Sequence, residues 1–413
     1  MSRCLALVAA LLLAATLHAQ PQPVDVPQHK FIKYQANKLH YDTSSASMAL
    51  FFDRWQQTAL NAQGNINIVH IGASHVQAGS LTNTVRCNIL AAYPDLVGPR
   101  GMLFPYSAAA RCNNPADYRV HCLEKMELTR NVYKEHPYPL GLCGIAVSTT
   151  GGPAEITIEM NEPRVAYGTT RVVLLGHSTG GVMPRLRIGG REVYPSYVDN
   201  VTDRYISNLN AETDTFTVVL PCREGQQFTL SGIYLGNSHA GFTYHSIGVN
   251  GASVSDYLRC RNFVRDLRML HPDAVVFGIG INDAAGTNFD TAAFRRNYLA
   301  LVDSVRSVNP DCAFIFITNN DSFRHPSRRK YVVNPNGALA RDVFYRLAHD
   351  TGGAVWDQFE VMGGLRSMDL WRQNGLAQTD RIHFTQVGYR LIGNLFYNAL
   401  IKAYNQHVSS HRK

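Results

Sequence analysis

The sequence Ile66-Asn67-Ile68-Val69-His70-Ile71-Gly72-Ala73-Ser74-His75 carries the strongest signal for the fold of this chain. Its first six residues are mostly apolar and β-branched, and they predict a buried strand that ends at Gly72. Residues 76–93 have helical periodicity and predict the helix that follows. A strand that leads directly into a helix is typical of α/β proteins, in which functional side chains collect where the parallel strands end.

The same alternation of strand and helix returns in the second half of the chain. The predicted strands span residues 244–249, 274–279, 313–317 and 354–359, and the predicted helices span residues 44–60, 253–270, 291–308, 337–349 and 386–404. Strands separated by helices pair in parallel through right-handed crossovers. The sequence therefore predicts an α/β fold, a three-layer α/β/α domain built on a parallel sheet.

Residues 119–243 interrupt this pattern. Short alternating segments lie there between turns rich in Gly, Pro, Asn and Asp, at residues 155–159, 171–175, 185–188, 215–220 and 227–235. Such segments predict an antiparallel β-sandwich inserted into the α/β domain. The expected division is a leader, 1–19; an N-terminal extension with the first part of the α/β domain, 20–118; the inserted sandwich, 119–243; and the remainder of the α/β domain, 244–413.

Four short polar segments lie at or just past predicted strand ends, or before the last helix. In chain order they are Gly72-Ala73-Ser74-His75, Gly248-Val249-Asn250-Gly251, Gly280-Ile281-Asn282-Asp283 and Asp380-Arg381-Ile382-His383. A serine hydroxyl becomes a good nucleophile when a base takes its proton and a third group holds that base in one tautomer. Ser74, His383 and Asp380 supply these three groups. Ser74 alone would be read as an ordinary helix cap, so the ordered set is what indicates catalysis.

The ordered set resembles the SGNH (GDSL-type) hydrolase family, whose four blocks contribute Ser, Gly, Asn and an Asp-x-x-His pair. The resemblance implies a flavodoxin-like α/β fold and ester hydrolysis. It implies an oxyanion hole formed by the backbone N–H groups of Ser74 and Gly251 together with the side chain of Asn282. Asp283, which we expect to anchor its loop or cap the next helix, and His75 are expected to support the site.

One position departs from the pattern of the family. The first block usually has Asp directly before the serine, and this chain has Ala73. That aspartate is not a triad member, so catalysis is still expected, with altered hydrogen bonding around the nucleophile. The run His75-Val76-Gln77-Ala78 resembles a branch of exported bacterial esterases that act on carbohydrates, some of which carry an additional β-sandwich. The resemblance spans about residues 65–118 and 244–405.

A second serine lies in a motif of another hydrolase class. Gly176-His177-Ser178-Thr179-Gly180 matches the G-x-S-x-G nucleophile elbow of α/β-hydrolases, which needs a helix straight after the serine. Further glycines and Pro184 follow instead, so we interpret Ser178 as part of a β-turn between sandwich strands.

The composition is that of a folded protein, with 413 residues of which 45% are hydrophobic and 17% charged. Arg3, the apolar run 5–17 and the small residue Ala19 predict a secretory signal peptide, and hence export to the periplasm or the exterior of a bacterium. No other run predicts a transmembrane segment. The formal charge of +8 fits either an anionic partner or a solvated basic surface. No basic stripe with interleaved aromatics is present, so nucleic acid is not an expected partner.

Seven cysteines remain outside the predicted signal peptide. Export permits disulfides, and we expect one or two, with Cys112–Cys122 the nearest pair. The sequence contains no Cys-x-x-Cys pair and no His-Glu-x-x-His motif. We therefore expect neither a metal nor any other cofactor.

These inferences together predict a secreted serine esterase that removes an acyl group, expected to be acetyl, from a hydroxyl of a carbohydrate or cell-wall glycan. The substrate is an acylated glycan or a small ester, and the oligomeric state is not readable. Two alternatives stay open. An O-acyltransferase could use the same site, and a non-catalytic glycan-binding protein would be compatible with Ala73 and the large insertion.

Overall fold

The structure is a computed structural model that describes residues 20–109, 112–327 and 330–410, so the expected signal peptide lies outside the described residues. Six strands form its central sheet, in the spatial order β1 (Leu39–His40), β20 (Ala354–Trp356), β17 (Ala313–Ile317), β16 (Ala274–Gly278), β2 (Asn65–Gly72) and β15 (Gly241–Gly248). The edge strand β1 is antiparallel to β20, and the other five strands run parallel.

Helices cover both faces of this sheet. One face packs against α1 (Ala46–Asn61), α3 (Ser80–Ala92) and α10 (Gln386–Ser410), and the other against α4 (Val254–Leu258), α5 (Phe263–Leu270), α6 (Thr291–Arg306) and α7 (Asn336–Thr351). Short helices lie at α2 (Ser74–Gln77), α8 (Gln358–Val361) and α9 (Ser367–Gln373). Along β16, Val275 and Phe277 enter one core and Ala274 and Val276 the other, as strand alternation requires. The predicted three-layer fold is confirmed.

The inserted region is a sandwich of two antiparallel sheets. One sheet has the order β10 (Arg191–Val193), β9 (Arg185–Ile188), β13 (Thr215–Leu220), β7 (Ala154–Met160) and β4 (Tyr118–Cys122). The other has the order β11 (Tyr197–Asp199), β12 (Arg204–Asn208), β8 (Arg171–Thr179), β14 (Gln227–Gly236), β6 (Ile145–Ser148) and β5 (Glu127–Arg130), with β3 (Gly101–Leu103) also paired to β14. Because β3 belongs to this sandwich, the sandwich begins earlier in the chain than residue 119.

The segment after Ser74 also differs from expectation. The single helix predicted for residues 76–93 is divided into α2 and α3 at Gly79, which has a φ of 75°. A side chain at Gly79 would meet Pro115, since a Cβ placed there lies 2.4 Å from the Cβ of that proline. The break gives the nucleophile segment a short helix of its own, separate from the long helix that packs on the sheet.

A buried ion cluster joins the sandwich to the α/β domain. Asp117, just before β4, accepts from Arg100 Nε at 2.7 Å and from Arg86 Nη1, on α3, at 3.3 Å. All three side chains are at most 2% exposed. The apolar residues on both sides form one continuous core, so the two parts of the fold are packed together.

Replacing Asp117 with Asn is therefore expected to lower the free energy of unfolding by about 3–5 kcal/mol, because it leaves two buried guanidinium groups without a counter-charge. Urea unfolding monitored by circular dichroism measures this. The matched control is Glu159→Gln, which removes a carboxylate from the exposed Arg119–Glu159 pair and is expected to cost about 1 kcal/mol or less. Equal losses in the two variants would contradict the structural role of the cluster.

The disulfide expectation is wrong for the described structure, which pairs none of the seven cysteines. Six of them are buried, and Cys122 is half-buried with its Sγ donating to Glu124 O at 3.3 Å rather than facing Cys112. Within the described ranges, no helix is long and apolar enough to cross a bilayer. Nor do three His, Cys, Asp or Glu side chains gather there in a way that could hold a metal ion.

One further element extends from the α/β domain. The strands β18 (Phe323–Ser327) and β19 (Lys330–Val333) form an antiparallel hairpin between β17 and α7.

Candidate active site

Three glycines at the carboxyl ends of neighbouring strands bring the polar segments together. Gly248 on β15 and Gly278 on β16 both lie opposite Gly72 on β2. A Cβ at Gly72 would lie 2.8 Å from the carbonyl oxygen of Gly278, and one at Gly248 would lie 2.4 Å from the backbone nitrogen of Gln77. Since no side chain fits in this row, the backbones approach closely and the loops that follow converge at one edge of the sheet.

The serine and the histidine predicted from opposite ends of the chain meet at this edge. Ser74 Oγ lies 2.8 Å from His383 Nε2, and His383 Nδ1 lies 2.7 Å from Asp380 Oδ2. The side chains of His383 and Asp380 are 32% and 40% exposed, so the group opens to solvent on one side. A hydroxyl, an imidazole and a carboxylate in this chain of contacts can transfer a proton from the serine to the histidine.

The backbone around Asp380 is shaped to hold its carboxylate. Arg381 has a φ of 57°, in the left-handed region that non-glycine residues rarely adopt. This turn lets the N–H groups of Ile382 and His383 both donate to Asp380 Oδ1, at 2.9 and 3.0 Å. The strained residue is fixed by an ion pair with Asp369 at 3.0 Å and by its guanidinium lying 4.0 Å from the centre of the Tyr331 ring.

These contacts set the ionisation of the aspartate. Partial burial opposes the charged form, but the hydrogen bonds from the His383 side chain and from two backbone N–H groups favour it more strongly, and they lower the pKa of Asp380 to about 2. The carboxylate therefore stays ionised at any ordinary working pH. An ionised acceptor at Nδ1 keeps the proton of the imidazole there and leaves Nε2 free to face the serine.

The three expected oxyanion donors lie in the segments that follow the neighbouring strands β2, β15 and β16. Ser74 is the first residue of α2, so its backbone N–H has no acceptor within that helix. Gly251 has a φ of 81°, is exposed, and has no atom within 4 Å of a Cβ built on it. Asn282 Nδ2 donates to Ala252 O at 2.9 Å, which uses one of its two N–H bonds and leaves the other available.

Gln77 is a residue whose role sequence reasoning missed. It is 4% exposed, and its Oε1 accepts from Asn250 N at 2.7 Å. It therefore ties the helix that begins with Ser74 to the loop that ends with Gly251. Arg130, from the sandwich, donates to the carbonyl oxygen of Asn250 on the same loop. The signal for Gln77 was its place three residues after Ser74, about one helical turn along the same segment, whereas nothing in the sequence indicated Arg130.

Asp283 anchors its loop, which is one of the two roles expected for it. Its two carboxylate oxygens each accept from Val254 N at 3.2 Å, at the start of α4. It thus caps the helix that follows Gly251 and not the next helix along the chain. Burial raises the pKa of Asp283 to about 6, although the bonds from Val254 oppose this.

His75 lies directly behind the catalytic histidine candidate. Its ring centre is 5.3 Å from that of His383, and its Nδ1 lies 2.8 Å from Tyr389 Oη. Burial, followed by the neighbouring His383, lowers the pKa of His75 to about 3, so this imidazole is neutral. It packs against His383 without competing for its proton.

Ser178 lies in a different part of the molecule. It belongs to β8 and is paired with Phe228 on β14, so the β-turn interpretation is wrong for this residue. The strand continues to Thr179 and leads into irregular chain that contains Pro184. No helix follows Ser178, and the geometry of a nucleophile elbow is absent.

An apolar groove of about 550 Å³ opens beside Asn282. One wall is the β18–β19 hairpin, through Phe323 and Val332, and the other includes Ile281 and Ile382. The groove therefore reaches from the third polar segment to the loop that carries Asp380 and His383. Its volume falls within the roughly 300–1,000 Å³ of ordinary small-molecule sites.

Comparison with known proteins was made by sequence family and by structure. The family model described as the GDSL-like Lipase/Acylhydrolase family matches residues 229–391. No curated protein sequence matches the chain significantly. A solved structure of a peptidoglycan O-acetylesterase is 20% identical, with a TM-score of 0.73, covering 89% of this chain and 99% of that chain. A family two carbohydrate esterase from Cellvibrio japonicus is 8% identical, with a TM-score of 0.29, covering 70% of this chain and 99% of that one.

The structural match extends through the sandwich, so the arrangement of both parts of the fold is shared with a known esterase. The residues matched by the family model include Gly251, Asn282 and His383. Residues 229–391 are therefore similar to the GDSL-like Lipase/Acylhydrolase family, and the fold of the chain is similar to that of a solved peptidoglycan O-acetylesterase.

Proposed function

We propose that this protein is a secreted serine esterase that removes O-acetyl groups from a glycan through an acyl-enzyme formed on Ser74. The observation that carries the proposal is the continuous chain of contacts from Ser74 Oγ through His383 to Asp380, with distances of 2.8 and 2.7 Å. His383 Nε2 faces the hydroxyl, as a general base must.

In the proposed reaction, Ser74 Oγ attacks the ester carbonyl carbon while its proton moves to His383 Nε2. The N–H groups of Ser74 and Gly251 and the Asn282 side chain donate to the oxyanion that forms. The C–O bond to the sugar then breaks, and His383 gives its proton to the departing alkoxide. A water molecule attacks the acyl-enzyme, passing a proton to His383, which returns it to Ser74 as acetate leaves.

Three observations support a glycan as the substrate. The structural relative that shares the fold over most of both chains is named as a peptidoglycan O-acetylesterase. The groove beside Asn282 is much larger than an acetyl group needs, so it has room for the sugar that carries the ester. The formal charge of +8 would favour approach to an acidic polymer.

The proposal is tested by measuring acetate release from O-acetylated peptidoglycan and from other O-acetylated polysaccharides. A series of p-nitrophenyl esters from acetyl to octanoyl, measured in parallel, shows whether the groove binds the sugar or the acyl chain. We expect the highest kcat/KM with acetyl, because the groove holds the sugar. A rise in kcat/KM with chain length would assign the groove to the acyl chain and contradict the proposed substrate. Absence of acetate release from every glycan, with small esters still cleaved, would contradict it as well.

Replacing Asn282 with Ala is expected to lower kcat by roughly 10²–10³-fold with little change in KM, because it removes a donor that acts on the developing oxyanion. Steady-state kinetics with p-nitrophenyl acetate measure the effect. The matched control is Asn374→Ala, since Asn374 Nδ2 also donates to a backbone carbonyl, that of Leu370, but at an exposed site. A kcat for Asn282→Ala within twofold of the control would exclude Asn282 from the oxyanion hole.

A further inference from the structure

A polar pocket of about 160 Å³ lies where α3, α10 and the sandwich meet. Its α/β side is formed by the starts of two helices, including Ser80 and Asn83 on α3 and Arg390 on α10. Its sandwich side includes Asn161 and Glu162, which follow β7. The volume is below the roughly 300–1,000 Å³ of drug-sized sites. It suits one ring or one substituent of a larger ligand.

The pocket adjoins the segments that carry the proposed triad. Ser80 is six residues after Ser74, with the rest of α2, Ala78 and Gly79 between them. On the other wall, Arg390 directly follows Tyr389, whose hydroxyl lies 2.8 Å from His75 Nδ1. A ligand held here would therefore lie beside the nucleophile segment and at the seam with the sandwich.

The carboxylates at this pocket already have cationic partners. Glu162 accepts from Arg164 through Oε1 and Oε2, at 2.7 and 2.6 Å, and also from the Asn83 side chain. Although burial opposes the charged form, these bonds lower the pKa of Glu162 to about 2, so it stays ionised. Asp117, at the base of the pocket, is held by the two buried arginines of the ion cluster described above.

Arg390 is the cation at this pocket that has no carboxylate partner in the described part of the chain. Its side chain is exposed at the rim. Arg390, Arg164 and the two buried arginines that hold Asp117 supply four guanidinium groups. Glu162 and Asp117 supply two carboxylates, so the local surplus is two positive charges. A guanidinium without a partner beside amide groups can bind a carboxylate through two parallel hydrogen bonds.

We propose that this seam pocket binds a carboxylate-bearing sugar residue of the acylated glycan, with Arg390 as the group that pairs with the carboxylate. The inference rests on the proposed function and deepens it, since it makes the substrate an acidic glycan. The side-chain amide of Gln386 and the Oδ1 of Asn161, which also line the pocket, can contact ring hydroxyls. The sandwich then contributes directly to substrate selection by closing one side of the subsite.

The test compares O-acetylated polygalacturonate with the same polymer after chemical reduction of its carboxyl groups. We expect the wild type to favour the acidic polymer by about tenfold in kcat/KM, mainly through KM, a magnitude typical of one charge-assisted pair. The variant Arg390→Gln is expected to lose this preference. The variant Arg296→Gln, which removes another exposed helical arginine without an ion-pair partner in the described residues, is expected to keep it.

A wild-type enzyme without preference, or an Arg390→Gln variant that keeps it, would overturn the proposal while leaving the esterase assignment intact. If neither polymer is deacetylated, binding decides the matter independently of turnover. Calorimetry with trigalacturonic acid and the Ser74→Ala protein should then give a dissociation constant about tenfold lower than that of the Ser74→Ala/Arg390→Gln protein. Equal affinities of the two proteins, or no binding by either, would also overturn it.

Discussion

Replacing Ser74 with Ala is expected to lower kcat for hydrolysis of p-nitrophenyl acetate by about 10⁶-fold, the scale found when a triad nucleophile is removed from a serine hydrolase. The reason is that no other hydroxyl in the described structure contacts His383 Nε2. Water attack assisted by the remaining groups would account for the residual rate. The measurement is initial rate at saturating ester, together with labelling of the wild-type protein by a fluorophosphonate probe and identification of the labelled peptide.

The control for this change is Ser178→Ala. That serine lies on β8 of the sandwich, paired with β14 and away from the sheet edge that carries the triad. We expect this variant to retain wild-type kcat and to be labelled normally. Activity that survives loss of Ser74 but disappears with loss of Ser178 would require a different nucleophile and would refute the proposed mechanism.

Replacing Asp380 with Asn is expected to lower kcat by about 10⁴-fold without unfolding the protein. The amide oxygen can still accept from the N–H groups of Ile382 and His383, so the loop should keep its shape. The amide nitrogen would then face His383 Nδ1 and donate to it. This places the proton of the imidazole on Nε2, where the base can no longer take a proton from Ser74.

The tautomer explanation has a distinct pH signature. We expect the deficit to persist across the alkaline limb of the pH–kcat profile, because the wrong tautomer is not corrected by removing protons from bulk solution. The control is Asp303→Asn, an exposed carboxylate on α6, which should match the wild type throughout. Recovery of Asp380→Asn at high pH would contradict the orienting role.

Most of the fold could be predicted because its signals are local. The apolar runs at β2, β16 and β17 are bounded by polar turns, and alternation with helical periods identifies a parallel sheet. Two details needed tertiary information. The break in the helix after Ser74 places Gly79 against Pro115, a residue distant in sequence, where no side chain would fit. The assignment of β3 to the sandwich depends on its pairing with β14, more than a hundred residues later.

The candidate site likewise has one part that could be predicted from the sequence and another that needed the tertiary structure. Its principal residues stand in short motifs with fixed spacing, which a sequence displays directly. The groups that hold those residues in place could not be predicted, because they come from elements far apart in the chain. Arg130 reaches the Asn250 loop from the sandwich, and Tyr331 of the hairpin packs on Arg381, which directly follows Asp380.

By itself, the sequence predicted the fold class, the family resemblance and the candidate residues Ser74, Asp380 and His383, because hydrophobic periodicity and motif spacing are properties of neighbouring residues. Only the tertiary structure decided that Ser74 and His383, separated by 309 positions, meet at 2.8 Å. It alone also decided that the seven cysteines of the described structure remain unpaired and that a polar pocket forms at the seam. Such contacts depend on how the strands and helices pack in space, and no local pattern of residues encodes the distance between two remote side chains.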